Sequence, residues 1–206
     1  MVVVTGEGSS FSAGIDRRMF TPEGVPGEGS LAEITSASDA EAHEIIASYQ
    51  AGFSWLRRPE LVSVASVRGH AVGAGFQLAL ACDIRVVAAD AQFTMAEPSL
   101  GLVPDLAGTQ PLVDAVGYSR ALEICATGRR FGAAEAERAG LANLVVPGEE
   151  LETATEDLVA ALLSTNRDAV TATKRLLLGA RDRSYDDQLR AEREEQVPRL
   201  RAMTGG

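Results

Sequence analysis

Short apolar runs broken by small residues alternate with helical periodicity in the first part of the chain, and helical periodicity alone fills the last. Val2, Val3 and Val4 form a β-branched run that reads as a short buried strand, and residues 61–67, 84–89, 91–95 and 144–146 read as further strands. Between the first two, residues 39–58 place Ile45, Ile46, Tyr49, Phe53 and Leu56 on one stripe, which predicts a helix capped by Asp39 and stopped at Pro59. Trp55 lies on that helix and is expected in the core. Shorter helices are predicted at 75–82, at 118–127 and at 133–139, the last two closed by Gly128 and Gly140, with another opening at Gly108 or Thr109. Residues 21–38 are rich in Gly, Pro and Ser and read as a mobile loop. Helices at 149–164, 166–180 and 184–203 finish the chain. The pattern is that of an α/β core over 1–147 followed by a helical region over 148–206.

A length of 206 residues suits one large domain or one domain with an appendage, and 46% apolar residues can fill a sizeable core. No apolar run is long enough to span a membrane, and the N-terminus lacks the basic and apolar regions of a signal peptide. Cys82 and Cys125 are far apart and form no CxxC, so reduced thiols and a cytoplasmic location are expected, with no metal site. The net charge of −10 argues against nucleic acid or an anionic membrane as partner. Residues 21–50 carry six carboxylates and no Lys or Arg, which reads as a solvated face, and residues 181–201 carry six Arg and six acids, which reads as an exposed or inter-subunit helix. The basic residues are 18 Arg and one Lys, Lys174, a bias that reads as base composition of the genome.

The stretch "RGHAVGAGFQLALACDI" (68–84) has the strand–glycine–helix order of a nucleotide-binding turn. Its spacing does not fit. After Gly73 and Gly75 the third small residue, Ala79, is out of place for a dinucleotide fingerprint, and a Walker lysine is absent. A glycine turn entering a helix still presents unsatisfied backbone N–H groups at a positive helix end, a setting that suits an oxyanion. The small-residue loop "SFSAGID" could bring a second backbone N–H close to a ligand. Downstream, "AEPSLGLVPDLAGTQPL" (96–112) places Glu97 at a strand end and Asp105 eight residues later among apolar neighbours. Two such carboxylates can transfer protons; equally, Glu97 can pair with an Arg and Asp105 can cap a helix.

Taken in order, "FSAGID", "GHAVGAGFQLALACDIRVVAADAQFTMAEPSLGLVPDLAGTQPL" and "GYSRALEICATGRRFGAAEAERAGLANLVVP" resemble the crotonase superfamily, the enoyl-CoA hydratases and isomerases. The resemblance runs from residue 2 to about 147 and more loosely beyond. It implies a ClpP/crotonase-like superhelix of ββα units with a C-terminal helical trimerisation region, hence a homotrimer or hexamer. It implies an acyl-CoA thioester as substrate, with coenzyme A part of the substrate and no separate cofactor. The backbone N–H groups of Ile15 and Ala74 would hold the thioester oxygen, and Ala13, Gly14, Asp16, Val72 and Gly73 would line the substrate. Family members usually carry a first β-hairpin and a helix ahead of "VVVTG", so these are expected to be missing here and Met1 need not be the natural start.

Two departures shape the expected chemistry. Family hydratases use two glutamates; this chain has Glu97 at one position and Gln77 at the other. An amide cannot act as an acid or base at neutral pH and can only orient by hydrogen bonds. Asp105 falls where dienoyl-CoA isomerases and ring-opening epoxyphenylacetyl-CoA isomerases of the superfamily carry a catalytic aspartate. The resemblance therefore implies double-bond isomerisation of an enoyl-CoA, with Glu97 and Asp105 as acid and base. The alternatives are hydration by Glu97 with Gln77 orienting water, and a catalytically weak acyl-CoA-binding protein. A serine hydrolase of the related protease fold finds no G-x-S-x-G, and neither His43 nor His70 has an obvious serine partner.

Overall fold

A computed structural model describes residues 1–27 and 30–204. Glu28, one of the six carboxylates of the 21–50 stretch, lies outside the described residues. Two sheets carry the N-terminal part. In the first, β1 (Val2–Thr5), β2 (Ser63–Val67), β4 (Ile84–Ala88) and β7 (Leu144–Val146) are parallel, in the order β1-β2-β4-β7. In the second, β3 (His70–Val72) pairs in parallel with β5 (Gln92–Thr94), which pairs antiparallel with β6 (Phe131–Gly132). The chain steps from the first sheet to the second twice, through Arg68–Gly69 after β2 and through residues 89–91 after β4. Gly69 makes the first step possible: its φ is +56°, and a Cβ there would lie 2.2 Å from Ser9 O.

The first step is followed by α3 (Ala74–Ala81), so β2, β3 and α3 form one ββα unit. The second is followed by a 3₁₀ turn (Glu97–Leu100) and α4 (Thr109–Val116). The strands β3 and β6 are additions to the sequence reading, which places no strand at 68–74 or at 129–132. Both strands are too short for periodicity to show. Within 21–38, the described residues are more ordered than composition predicts: they contain α1 (Leu31–Ser36), and Ser30 donates to Thr21 O at 2.6 Å.

Helix α2 (Asp39–Ser54) begins one residue earlier than a cap at Asp39 would place it. Ser38 is the cap, and it forms a reciprocal capping box with Glu41, whose carboxyl is held below its ordinary range by the Ser38 hydroxyl and N–H. The stripe Ile45–Leu56 does face inward, ending in the fully buried Leu56 of a 3₁₀ turn (Trp55–Arg57). Trp55 is not core. It is 37% exposed, two residues on from Phe53 and so on the side away from the stripe.

The main core lies between the two sheets and α3. Phe76, Phe93 and Phe131 stack there with centroids 5.3–5.7 Å apart, together with Leu80, Met95, Leu112 and Ile124. On the other face of the first sheet, Val64, Val86 and Ala88 pack against Leu151, Ala154 and Leu158 of α7 (Leu151–Leu163). Strand β2 is thus buried on both faces along its whole length, as parallel strands covered by helices are. Helices α5 (Tyr118–Thr127), α6 (Ala133–Arg138), α8 (Arg167–Leu178) and α9 (Tyr185–Thr204) complete the chain.

Lys174 reaches from α8 into this body. Its Nζ donates to Leu61 O at 2.8 Å, to Leu56 O at 3.3 Å and to Asp83 Oδ2 at 2.7 Å. Asp83 Oδ2 also accepts from the Ser63 N–H and hydroxyl. The single lysine therefore has a structural use that composition gives no hint of.

Candidate active site

The site begins with how β3 is flanked. Ser12 pairs with β3 as an isolated bridge: its N–H donates to His70 O at 2.9 Å, and Val72 N–H donates back to its O at 3.0 Å. This lays the "SFSAGID" loop along β3 and against the start of α3. Gly75 is shaped to receive it, since a Cβ at that position would lie 2.5 Å from Ser12 Cβ. Ser12 Oγ accepts from Gly14 N–H at 3.2 Å, which turns the loop just before Ile15. Gly14 has φ +93°, and a Cβ there would lie 2.8 Å from Val72 O and 3.9 Å from the Ala74 nitrogen. The first loop and the start of α3 are therefore in direct contact.

Among the described residues, neither the Ile15 N–H nor the Ala74 N–H donates to a protein acceptor. Two free backbone donors on adjoining segments, one of them at the positive end of a helix, can hold an oxygen that gains negative charge. Ala13 and Asp16 flank this place and are exposed. The Asp16 carboxylate is engaged by its own turn: the Arg18 side chain and N–H bind it, and the Arg18 hydrogen bond holds its carboxyl down at about 2.

Register then brings in the acid. Gly73, with φ +52°, precedes Ala74, and its N–H donates to Thr94 O at the end of β5 at 2.8 Å. The chain leaving β5 thus passes beside Gly73, and Glu97 sits against it: a Cβ on Gly73 would lie 3.2 Å from Glu97 Oε1 and 3.8 Å from Oε2. No arginine pairs with Glu97. Gln77, wholly buried one turn into α3, donates from Nε2 to Glu97 Oε1 at 2.7 Å. Glu97 Oε2 is buried and has no hydrogen-bond partner among the described residues. One oxygen is anchored and the other is left for a ligand. Cys125 of α5 is close enough that burial first, and then the Glu97 charge, raise its thiol above the ordinary range.

Asp105 lies on the loop that returns from the 3₁₀ turn to α4 and is half-buried. It caps no helix: α4 starts after Gly108 without a side-chain cap. Its carboxylate makes no hydrogen bond or ion pair with a described residue, whereas its peptide oxygen accepts from Gln50 Nε2 at 2.7 Å and the next N–H, of Leu106, donates to Gln77 Oε1 at 2.8 Å. Gln50 and Ser12 are contacts that sequence reasoning missed; neither breaks a local pattern.

Among the described residues, no three of His, Cys, Asp and Glu converge to hold a metal ion. A cavity of about 770 Å³ lies elsewhere, between α8 and residues such as Arg57, Ile84 and Asp114, and it shares no residue with the Ile15–Ala74–Glu97 cluster.

Comparison with known proteins gives the family. The sequence model of the enoyl-CoA hydratase/isomerase family matches residues 1–199. The chain belongs to the enoyl-CoA hydratase/isomerase family. A Thermobifida fusca protein named as an enoyl-CoA hydratase is similar in structure: solved with CoA, it superposes with a TM-score of 0.94 at 51% identity, over 100% of this chain and 78% of that one. Solved with acetoacetyl-CoA, it gives 0.93 at 52% identity over 97% and 77%. Among curated family members, one of Dictyostelium discoideum named as a mitochondrial enoyl-CoA hydratase is 31% identical over 93% of this chain and 64% of its own length. A peroxisomal Δ(3,5)-Δ(2,4)-dienoyl-CoA isomerase of Arabidopsis thaliana is 30% identical over 92% and 68%. The chain thus spans about two thirds of the length of these curated relatives.

Proposed function

We propose that the protein isomerises a double bond of an enoyl-CoA thioester by moving a proton between carbons. The observation that carries this reading is Glu97 Oε2, a buried carboxylate oxygen without a partner among the described residues, held against Gly73, the residue before the Ala74 donor. The Ile15 and Ala74 N–H groups take the thioester oxygen. Polarising that carbonyl makes the neighbouring C–H acidic and stabilises the enolate that forms on its loss. One such donor is worth about 2.7–4 kcal/mol of transition-state stabilisation. Glu97 and Asp105 share the proton traffic on the carbon chain. The CoA and acetoacetyl-CoA complexes of the Thermobifida fusca protein support an acyl-CoA ligand at this site. Gln77 disfavours two-carboxylate hydration, since its amide is committed on both ends, to Glu97 and to Leu106. For assembly we take the C-terminal helices as the contact region of a trimer, supported by Tyr185 and Met203, which α9 leaves 78% and 81% exposed.

The test is a substrate panel followed by ultraviolet absorbance: crotonyl-CoA, a 3-enoyl-CoA and a 3,5-dienoyl-CoA. Isomerisation of either of the last two, faster than hydration of the first, is the expected result. Asp105→Asn should lower that rate by about 100-fold. Hydration of crotonyl-CoA as the dominant reaction would replace the isomerase reading by the hydratase one, and ligand binding without turnover would leave an acyl-CoA-binding protein.

The donor pair itself can be tested at Gly75. Gly75→Ala puts a methyl group where Ser12 sits, and Ser12 is pinned to β3 by two backbone hydrogen bonds. The first loop must move off α3, and kcat/KM should fall by about 100-fold while the circular dichroism spectrum is kept. Wild-type kcat/KM in this variant would show that the contact does not set the oxyanion geometry.

A further inference from the structure

We propose that the peptide unit joining Asp105 to Leu106 is clamped by two glutamine side chains, Gln50 and Gln77, and that this clamp positions the Asp105 carboxylate relative to Glu97. The inference rests on Asp105 acting as an acid or base and adds to that reading the residues that hold it.

The two hydrogen bonds involved belong to one planar group. Gln50 Nε2 donates to the Asp105 carbonyl at 2.7 Å, and the Leu106 N–H donates to Gln77 Oε1 at 2.8 Å. A peptide unit held at both its oxygen and its N–H cannot rotate about its flanking bonds. Since no described residue binds the Asp105 carboxylate, the backbone at this peptide is what constrains where that side chain begins. The amide of Gln77 can be oriented in only one way here. A backbone N–H can only donate, so Oε1 faces Leu106 and Nε2 faces Glu97, to which it donates at 2.7 Å. Both carboxylates are thereby referenced to one wholly buried side chain.

The surrounding loop shows that it is held against local preference. Ala107 has φ +63°, the one positive φ outside glycine among the described residues. Such a conformation persists where neighbouring contacts over-determine it. Gly108 then lets the chain pass Gln77: a Cβ there would lie 2.7 Å from Gln77 Cγ. Gln50 supplies the other arm from the half-buried face of α2, a helix that contributes no reacting group. It is a positioning residue.

The experiment compares wild type, Gln50→Met, Asp105→Asn and the double variant, with a 3-enoyl-CoA as substrate and amide hydrogen exchange at Leu106 as a second readout. Methionine keeps the length of the side chain and removes the donor. Gln50→Met should lower kcat about tenfold with KM within about twofold. Leu106 exchange should become at least about tenfold faster. In the Asp105→Asn background the substitution should cost nothing further in kcat. Unchanged exchange at Leu106 would overturn the clamp. Faster exchange with unchanged kcat, or a loss that multiplies in full with that of Asp105→Asn, would overturn its role in positioning Asp105. Full activity of Asp105→Asn alone would instead defeat the acid–base reading, which the exchange measurement does not depend on.

Discussion

Glu97→Gln is expected to lower the rate of enoyl-CoA isomerisation by at least about 100-fold while leaving KM within about threefold. The size of the effect follows from how the carboxylate is held. Oε1 is occupied by the Gln77 amide at 2.7 Å, and Oε2 alone is left, buried and without a partner. Gln77 Nε2 can only donate, so the replacement amide must turn its oxygen toward Gln77. Its NH₂ group then stands where Oε2 stood, pointing at the substrate, and an amide NH₂ can neither take nor give a proton at neutral pH. The anchoring hydrogen bond survives, so the thermal midpoint should stay within a few degrees of wild type. Steady-state absorbance assays on the purified variant check the first statement, and a thermal melt checks the second. A variant that keeps the wild-type rate would remove Glu97 from the chemistry.

Lys174→Ala is expected to destabilise the fold by about 3 kcal/mol, measured as the change in unfolding free energy in urea. The side chain is 9% exposed, and its ammonium serves three acceptors from two separate parts of the chain, the segment after α2 and the junction of α3 with β4. Its removal leaves two carbonyl groups without that donor and Asp83 without its counter-charge. Lys174→Arg should recover only part of the loss, because a planar guanidinium fork cannot direct three donors from one point as an ammonium does. A change below about 1 kcal/mol for Lys174→Ala would show that α8 is held by its apolar contacts alone.

The parts of the fold and site that can be read from the sequence are those that repeat or punctuate. The stripe Ile45–Leu56 marks α2, and Gly128 ends α5 with its positive φ, as a C-terminal glycine should. Gly73 and Gly75 announce a helix entry whose use as an oxyanion site can be argued from elementary chemistry. The strand pairs β3–β5 and β5–β6 could not be read, because three- and two-residue strands carry no period. What Gln77 does was only half legible. Its chemistry excludes an acid or base, but its two partners lie 20 and 29 residues away along the chain. Gln50 lies 55 residues from the peptide it holds and sits among ordinary helix residues. Trp55 shows the opposite failure: a large apolar residue on the helix is expected in the core, but its place two residues after Phe53 turns it outward.

The burial of Lys174 has a chemical consequence for the surface. An acyl-CoA thioester transfers its acyl group to any unprotonated amine it meets. With its only lysine enclosed in an ion pair and every other basic side chain of the chain, histidine aside, an arginine, the sequence offers such reagents no exposed side-chain amine. Guanidinium groups stay protonated and do not react in this way. Acyl transfer to a side-chain amine is therefore limited to the enclosed Lys174, and thioester exchange is left to Cys125, the half-buried one of its two free thiols.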